Sequence, residues 1–292
     1  MDIGKLIQSI KKKYPTVEEV VVPQYQDEID TAMGGVTSQH KKMWPHYLIR
    51  CIDSRYAASL LNNGEIRMHT LEYYRSLEYN GDGRSDKVEG VSRVFQAGAI
   101  LMGDETGERT VEIFKHTTIY QHSPTGNKGF IYCLYGCYDN IFDGKPHEIV
   151  VPDDMNKLGS TKILIKNPRE FFTRCKNAIK QGKFEYQRGA RQIEHINLDL
   201  ECSSVDYLDR TSQNWEWGPY SKPKEYEYQS EFRLYCPSPD CLKDDILTLK
   251  IKPITDIAII IDKPMILLPA ANGALDIIYG RLNKKPKSTL ND

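Results

Sequence analysis

The sequence predicts an α+β domain, and three features carry that expectation. Short runs rich in β-branched and aromatic residues recur along the chain, separated by turn signals such as GDETGE and SPTGNKG, as in the hairpins of a β-rich core. Helical periodicity is clear in few places, above all from Pro168 to Gln181, where proline stands near the first turn and Phe171, Phe172, Cys175 and Ile179 share one side. Eighteen tyrosines against eight phenylalanines favour half-buried strands and polar-lined clefts over a uniformly apolar interior. Many short strands with few helices make an antiparallel or mixed sheet.

The elements follow in order. Ile3, Leu6, Ile7 and Ile10 form a helical stripe that Pro15 ends, Val17 to Val22 reads as a strand, and the polar stretch Pro23 to Lys42 reads as a loop. This divides the chain into an appendage (1–43), a main domain (44–283) and a tail (284–292). The main domain opens with a strand from His46 to Cys51. A helix capped by Asp53 runs through Asn62 and stops at Gly64. Glu65 to His69 is a second strand and Leu71 to Glu78 a short helix, followed by the Gly- and Asp-rich loop NGDGRSDKVEG. Further strands fall at 97–102, 110–114, 130–135, 162–165, 184–186, 231–235, 246–251 and 257–261, and a last helix is expected over Ala274 to Leu282.

Lys222 to Cys236, KPKEYEYQSEFRLYC, reads as a single amphipathic strand. Alternation places Tyr226, Tyr228, Phe232 and Leu234 on one face and Gln229, Glu231 and Arg233 on the other. An amide, a carboxylate and a guanidinium in a row are more than a purely structural strand needs.

Several functions are disfavoured at once. Lys plus Arg number 39 against 40 Asp plus Glu, so net charge attracts no partner by itself, and a nucleic-acid site requires a local basic patch. The seven cysteines include no C-x-x-C pair, and the seven histidines show no metal-ligand spacing, so metal-free chemistry is expected. There is no G-x-G-x-x-G, Walker A, G-x-S-x-G or H-E-x-x-H motif. Without an apolar run near Met1 there is no signal peptide or membrane span, and a cytoplasmic protein with reduced thiols is expected.

Three polar constellations remain. Arg50, in HYLIRC, is costly among apolar neighbours unless it meets an anion or pairs with an acid. Tyr73, Tyr74 and Arg75 precede a loop bearing Arg84, Asp86 and Glu89, whose acids either shape a cleft or hold the loop together. Gln229 and Glu231 form the third. Beside them, Trp215, Trp217 and Tyr220 near Lys222 and Lys224 offer either stacking surfaces for single-stranded bases or packing under a Gly-Pro turn.

The order of an arginine on a first strand, an aromatic pair after the second and a late Gln-x-Glu resembles the ADP-ribosyltransferase superfamily. The layout GEIRMHTLEYYRSLE, RSDKVEG, FIYCLYG and KPKEYEYQSEFR is similar to a bacterial family found near phage-defence and toxin–antitoxin loci. The resemblance implies an ADP-ribosyltransferase-like split β-sandwich of antiparallel or mixed sheets with flanking helices. It implies NAD as co-substrate, with Arg50 gripping its pyrophosphate or adenosine ribose, and Tyr73 or Tyr74 stacking on nicotinamide. Glu231 is then the catalytic carboxylate, binding the ribose 2′-hydroxyl, and Gln229 orients the acceptor. Met68-His69-Thr70 stands where the superfamily's better-known branches carry Ser-Thr-Ser, which makes His69 a further candidate; Arg75, Arg84 and Trp215 complete the set. The implied function is mono-ADP-ribosylation of a nucleic acid or protein by an intracellular toxin or anti-phage effector, with an antitoxin or chaperone as possible partner. The competing readings are a non-catalytic nucleic-acid or antitoxin-binding module, and a metal-dependent nuclease built on Asp82, Asp86 and Glu89.

Overall fold

A computed structural model describes residues 20–21, 44–77, 86–103, 110–121, 127–138, 147–149, 151–193, 196–209, 217–261, 265–269 and 275–279. Its main sheet has ten strands: β1 (Tyr47–Ile52), β2 (Glu65–Thr70), β3 (Gly129–Cys137), β4 (Thr161–Ile165), β5 (Phe184–Arg188), β6 (Arg191–Ile193), β7 (Glu201–Ser204), β8 (Glu231–Pro237), β9 (Ile246–Lys250) and β10 (Ala258–Ile261). All its pairings are antiparallel, and the architecture is α+β, as the sequence predicts.

β3 is the hub. β8 follows one edge of β3 from end to end, Glu231 opposite Tyr135 and Pro237 opposite Gly129, and β7 pairs beyond β8. Two strands share the other edge. β1 takes Tyr135 to Cys137, and β2 takes Phe130 and Ile131. The sheet therefore forks beside Tyr132–Leu134, sending β1-β4-β10 one way and β2-β9-β5-β6 the other. This fork positions the candidate site.

Register decides the faces, because paired residues in a sheet project to the same side. Phe232, Leu234 and Cys236 lie with Leu134, Tyr132 and Phe130 on one face. There they join a core completed by the helix over Pro168–Lys180. Glu231, Arg233 and Tyr235 lie with Tyr135, Cys133 and Ile131 on the other.

Two helices connect β1 to the loop after β2. α1 (Ser54–Ala58) is capped by Asp53, whose side chain accepts from Arg55 N at 3.1 Å, and continues as a π turn over Ser59–Asn63. α2 (Leu71–Ser76) is capped by Thr70, whose Oγ1 accepts from Tyr73 N at 3.1 Å. Gly64 ends the π turn at φ 64°, and a Cβ there would fall onto the Ile251 carbonyl oxygen. Gly64→Ala should therefore lower stability by more than about 2 kcal/mol, the left-handed penalty plus a backbone clash. A shift of the urea midpoint measures this; an unchanged midpoint refutes the close approach.

α3 (Pro168–Lys180) has proline in its first turn, and Asn167 Oδ1 accepts from Glu170 N at 3.0 Å. It buries Phe171, Phe172, Cys175, Ala178 and Ile179 against the sheet, the stripe expected from the sequence.

Two expectations fail. KPKEYEYQSEFRLYC is not one strand. Ser221–Pro223 forms a short strand, Lys224–Gln229 a 3-10 helix, Ser230 a left-handed kink at φ 40°, and only then does β8 begin. The kink is tied down, because Ser230 Oγ donates to Gly136 O at 2.8 Å and Gly136 N donates to Ser230 O at 2.7 Å. Local hydrogen bonding and Pro223, fixed near φ −60°, overrule the strand-like alternation. The expected last helix is also wrong: Leu275–Tyr279 is a strand paired with Met265–Pro269, as its Ile-Ile-Tyr content favours.

Outside the main sheet, Arg93–Gly103 and Thr110–Gln121 form a long hairpin, and Asp206–Leu208 pairs in parallel with Ser221–Pro223. Among the described residues, no helix is long and apolar enough to cross a membrane.

Candidate functional site

Arg50 stands where the sheet forks. β1 has left β3 after Ile49, and the carbonyl of Cys133 lies in the stretch of β3 that neither β1 nor β2 pairs. Arg50 Nη1 donates to that carbonyl at 2.6 Å, and the guanidinium lies 4.4 Å from the centre of the Tyr132 ring. Its Nε is buried without a hydrogen-bond partner. The acid partner allowed for in the sequence is not found: among the described residues Arg50 forms no ion pair, so its charge is uncompensated there.

A small cavity of about 30 Å³ is lined by Arg50, Cys133, Gln229 and Glu231, with Met155 and Leu158 as an apolar wall. Gln229 and Glu231 thus meet at one site, though not by strand alternation. The Ser230 kink separates them, and a lysine rejoins them. Lys222 Nζ donates to Gln229 Oε1 and to Glu231 Oε1, each at 2.6 Å.

Glu231 is gripped from both sides. Arg233 Nε donates to Glu231 Oε2 at 2.6 Å, while Arg233 Nη1 and Nη2 grip Glu89 at 2.6 and 2.9 Å. The backbone is fixed as well: Glu231 N donates to the Tyr207 hydroxyl at 2.7 Å, and Val205 N donates to Glu231 O at 3.0 Å. Arg233 is 0% exposed, Glu89 2%, Lys222 3% and Glu231 6%, so the polar face expected to meet substrate is largely a buried ion network. Burial raises the Glu231 carboxyl, but Arg233 and Lys222 outweigh it and hold it at about 2. Burial pulls Lys222 down, yet Glu231 keeps it raised. Both stay charged at neutral pH.

Asp86 and Glu89 take different roles. Asp86 Oδ1 accepts from Val88 N at 3.0 Å, whereas Oδ2 is buried without a hydrogen-bond partner. Burial, reinforced by Glu89, pushes Asp86 up to about 6. Glu89 is committed to Arg233, and its carbonyl accepts from Arg75 Nη1 at 2.8 Å. Arg75 therefore ties α2 to the acidic loop.

The aromatic pair divides. Tyr73 stacks on His69 with ring centres 4.4 Å apart, and meets Tyr74 edge-on at 5.4 Å. Tyr74 packs with Leu71, Ile131, Tyr235 and Cys133 and lies within electrostatic reach of Arg50 and Glu231. Burial, then the charges of Arg67 and Arg50, push His69 down to about 4, which leaves it neutral at pH 7. Burial pushes the Cys133 thiol up to about 12, far from a reactive thiolate.

The surface expected from Trp217, Tyr220 and Lys222 is not a stacking platform. Trp217 packs with Val88, Val91 and Leu208, the Tyr220 hydroxyl is buried, and Lys222 belongs to the ion network. Arg84, Trp215 and Asp82 lie outside the described residues. Sequence reasoning missed Lys222 and Glu89 as partners of the Glu231 site. The only local signal was the charge alternation around Glu231, and the 144-residue separation of Glu89 from Arg233 gave none.

Compared with known proteins, the chain matches no family model, no curated protein and no solved structure.

Proposed function

We propose that the protein is an NAD-dependent mono-ADP-ribosyltransferase that modifies a nucleic acid or protein acceptor, acting inside the cell as a toxin or anti-phage effector. The observation that carries this reading is that Arg50, Gln229 and Glu231, drawn from opposite ends of the chain, line one pocket at the fork of an antiparallel sheet. Their chemistry fits NAD. The unpaired Nε of Arg50 is a donor for a phosphate or ribose oxygen. An ionised carboxylate has about four acceptor positions, of which Lys222 and Arg233 fill two on Glu231, leaving room for a ribose hydroxyl.

When bound, NAD supplies the ADP-ribosyl group and a nicotinamide leaving group. Glu231, held charged, places negative charge where positive charge develops on the ribose. Gln229, its carbonyl oxygen fixed by Lys222, orients the incoming acceptor, and Tyr74 offers an aromatic ring beside Arg50.

Labelled NAD incubated with the protein and total RNA, DNA and protein should yield a labelled acceptor. Glu231→Gln should reduce transfer by roughly 10²–10³-fold, the usual scale for losing one electrostatic contact to the transition state. Because that change strands a buried lysine, Glu231→Gln combined with Lys222→Met serves as the charge-matched folding control. Full transfer by a folded Glu231→Gln variant removes the reading.

One observation favours a second reading, a non-catalytic binding module: both Glu231 oxygens already hold cations. On that reading a ligand raises Tm without any label being transferred. A Mg²⁺ nuclease built on Asp82, Asp86 and Glu89 is disfavoured at Glu89, since both Glu89 oxygens accept from Arg233.

A further inference from the structure

We propose that Lys222 and Arg233, the latter braced by Glu89, are positioning residues: a two-sided clamp that fixes the plane of the Glu231 carboxylate and aligns Gln229 with it. The inference rests on the ADP-ribosyl-transfer reading and extends it to residues that touch neither substrate nor reacting atoms. The geometry is specific. Lys222 Nζ takes one Glu231 oxygen and Arg233 Nε the other, both at 2.6 Å, so the carboxylate cannot rotate without breaking a charged hydrogen bond. The same ammonium holds Gln229 Oε1, while Gln229 Nε2 donates to the Tyr228 hydroxyl at 3.2 Å, which fixes the sense of the amide. Lys222 therefore couples the two pocket-lining groups across the Ser230 kink.

Arg233 cannot drift either. Its opposite side grips Glu89, and its Nη1 also donates to Pro219 O at 2.6 Å. Glu89 is in turn tethered through its carbonyl to Arg75 on α2, the helix that carries Tyr73 and Tyr74. One hydrogen-bonded chain thus links the aromatic helix, the acidic loop and the pocket carboxylate.

Stability alone is a poor reason to keep such a network. Buried ion pairs seldom outweigh the desolvation of their charges, and packed apolar side chains of similar volume serve as well or better. Holding a carboxylate to within a fraction of an ångström is what a reacting group needs, and misplacement by about 1 Å can lose about 100-fold in rate.

The test uses the full chain with Lys222→Met, Lys222→Arg and Glu89→Gln, read by steady-state transfer and by ¹³C titration of the Glu231 carboxyl. Lys222→Met is expected to lower kcat about 100-fold with KM for NAD within about threefold. Lys222→Arg should recover at least a tenth of the wild-type rate, and Glu89→Gln should fall between the two. In wild type the Glu231 resonance should stay flat from pH 8 to below pH 4, and in Lys222→Met its midpoint should rise toward that of an ordinary glutamate. An active wild type whose Glu231 titrates like an ordinary glutamate overturns the clamp, and needs no variant to fold. Wild-type kcat in Lys222→Met overturns it as well. A wild type inert toward every acceptor overturns the transfer reading instead, whatever the titration shows.

Discussion

Arg233→Met is expected to leave no stably folded protein. The change removes one guanidinium from a site with no solvent access, strands the Glu89 carboxylate and the Pro219 carbonyl, and leaves Glu231 with Lys222 alone. Breaking one buried pair by deleting a partner costs about 3–5 kcal/mol, and here two pairs break at once. Domains have only about 5–15 kcal/mol in hand, so soluble yield and the thermal transition should both collapse. Removing Glu89 in the same chain should reverse most of the loss. Arg233→Met combined with Glu89→Met keeps the charge count matched, leaves Lys222 to Glu231, and replaces the pair by apolar groups. A cooperative melt in the double variant but not in the single one is the expected pattern. A single variant that melts within about 3 °C of wild type would show that the network is solvated in solution.

Asp86→Asn is expected to do the opposite and stabilise the protein at neutral pH. The five buried groups Asp86, Glu89, Lys222, Glu231 and Arg233 balance only when Asp86 is protonated, because two cations then face two carboxylates. Burial and the neighbouring Glu89 accordingly raise Asp86 from 3.8 to about 6. The folded state thus binds the proton more tightly than the unfolded state does. Stability contributed by the protonated form is complete below about pH 4 and is lost as pH rises toward 6. Glu231 acts in the reverse sense. Its folded value of about 2 lies under its ordinary 4.5, so its contribution is present above pH 4.5 and disappears as pH falls toward 2. Together the two groups place a stability maximum between about pH 4 and 5.

Raising Asp86 from 3.8 to about 6 corresponds to roughly 3 kcal/mol, an upper bound for the gain at pH 7 in Asp86→Asn. Asn retains an oxygen for Val88 N and removes the uncompensated charge, at the smaller expense of one buried amide group. Urea midpoints measured from pH 5 to 7 should decline for wild type and stay level for the variant. Parallel declines in both proteins would assign the titration to another group.

Much of the fold was legible because local chemistry dictates it. Asp53 and Gly64 bracket their helix by capping and by a left-handed turn, and Pro168 opens the long helix, each through its own backbone and side chain. Val20–Val21 within the expected strand Val17 to Val22 is extended, in keeping with its β-branched run. Where a tertiary contact outweighed a local pattern, the sequence misled. Tyr226 and Gln229 alternate like strand residues, yet Pro223 and the Ser230–Gly136 hydrogen bonds wind that segment into a 3-10 turn.

The candidate site divides in the same way. Arg50 and Glu231 stand out because a charge within an apolar run is energetically anomalous whatever surrounds it. Their roles depend on neighbours that sequence separation hides. The fork in the sheet gives Arg50 the Cys133 carbonyl in place of an acid, Glu89 reaches Arg233 across 144 residues, and Lys222 is a buried clamp rather than a surface cation. By itself the sequence determined an α+β chain of short strands, the helix boundaries, and which polar residues are out of place. The tertiary structure alone decided which of them meet, because the pairing of charges follows strand register and the fork at β3, and neither is written in any local run of residues.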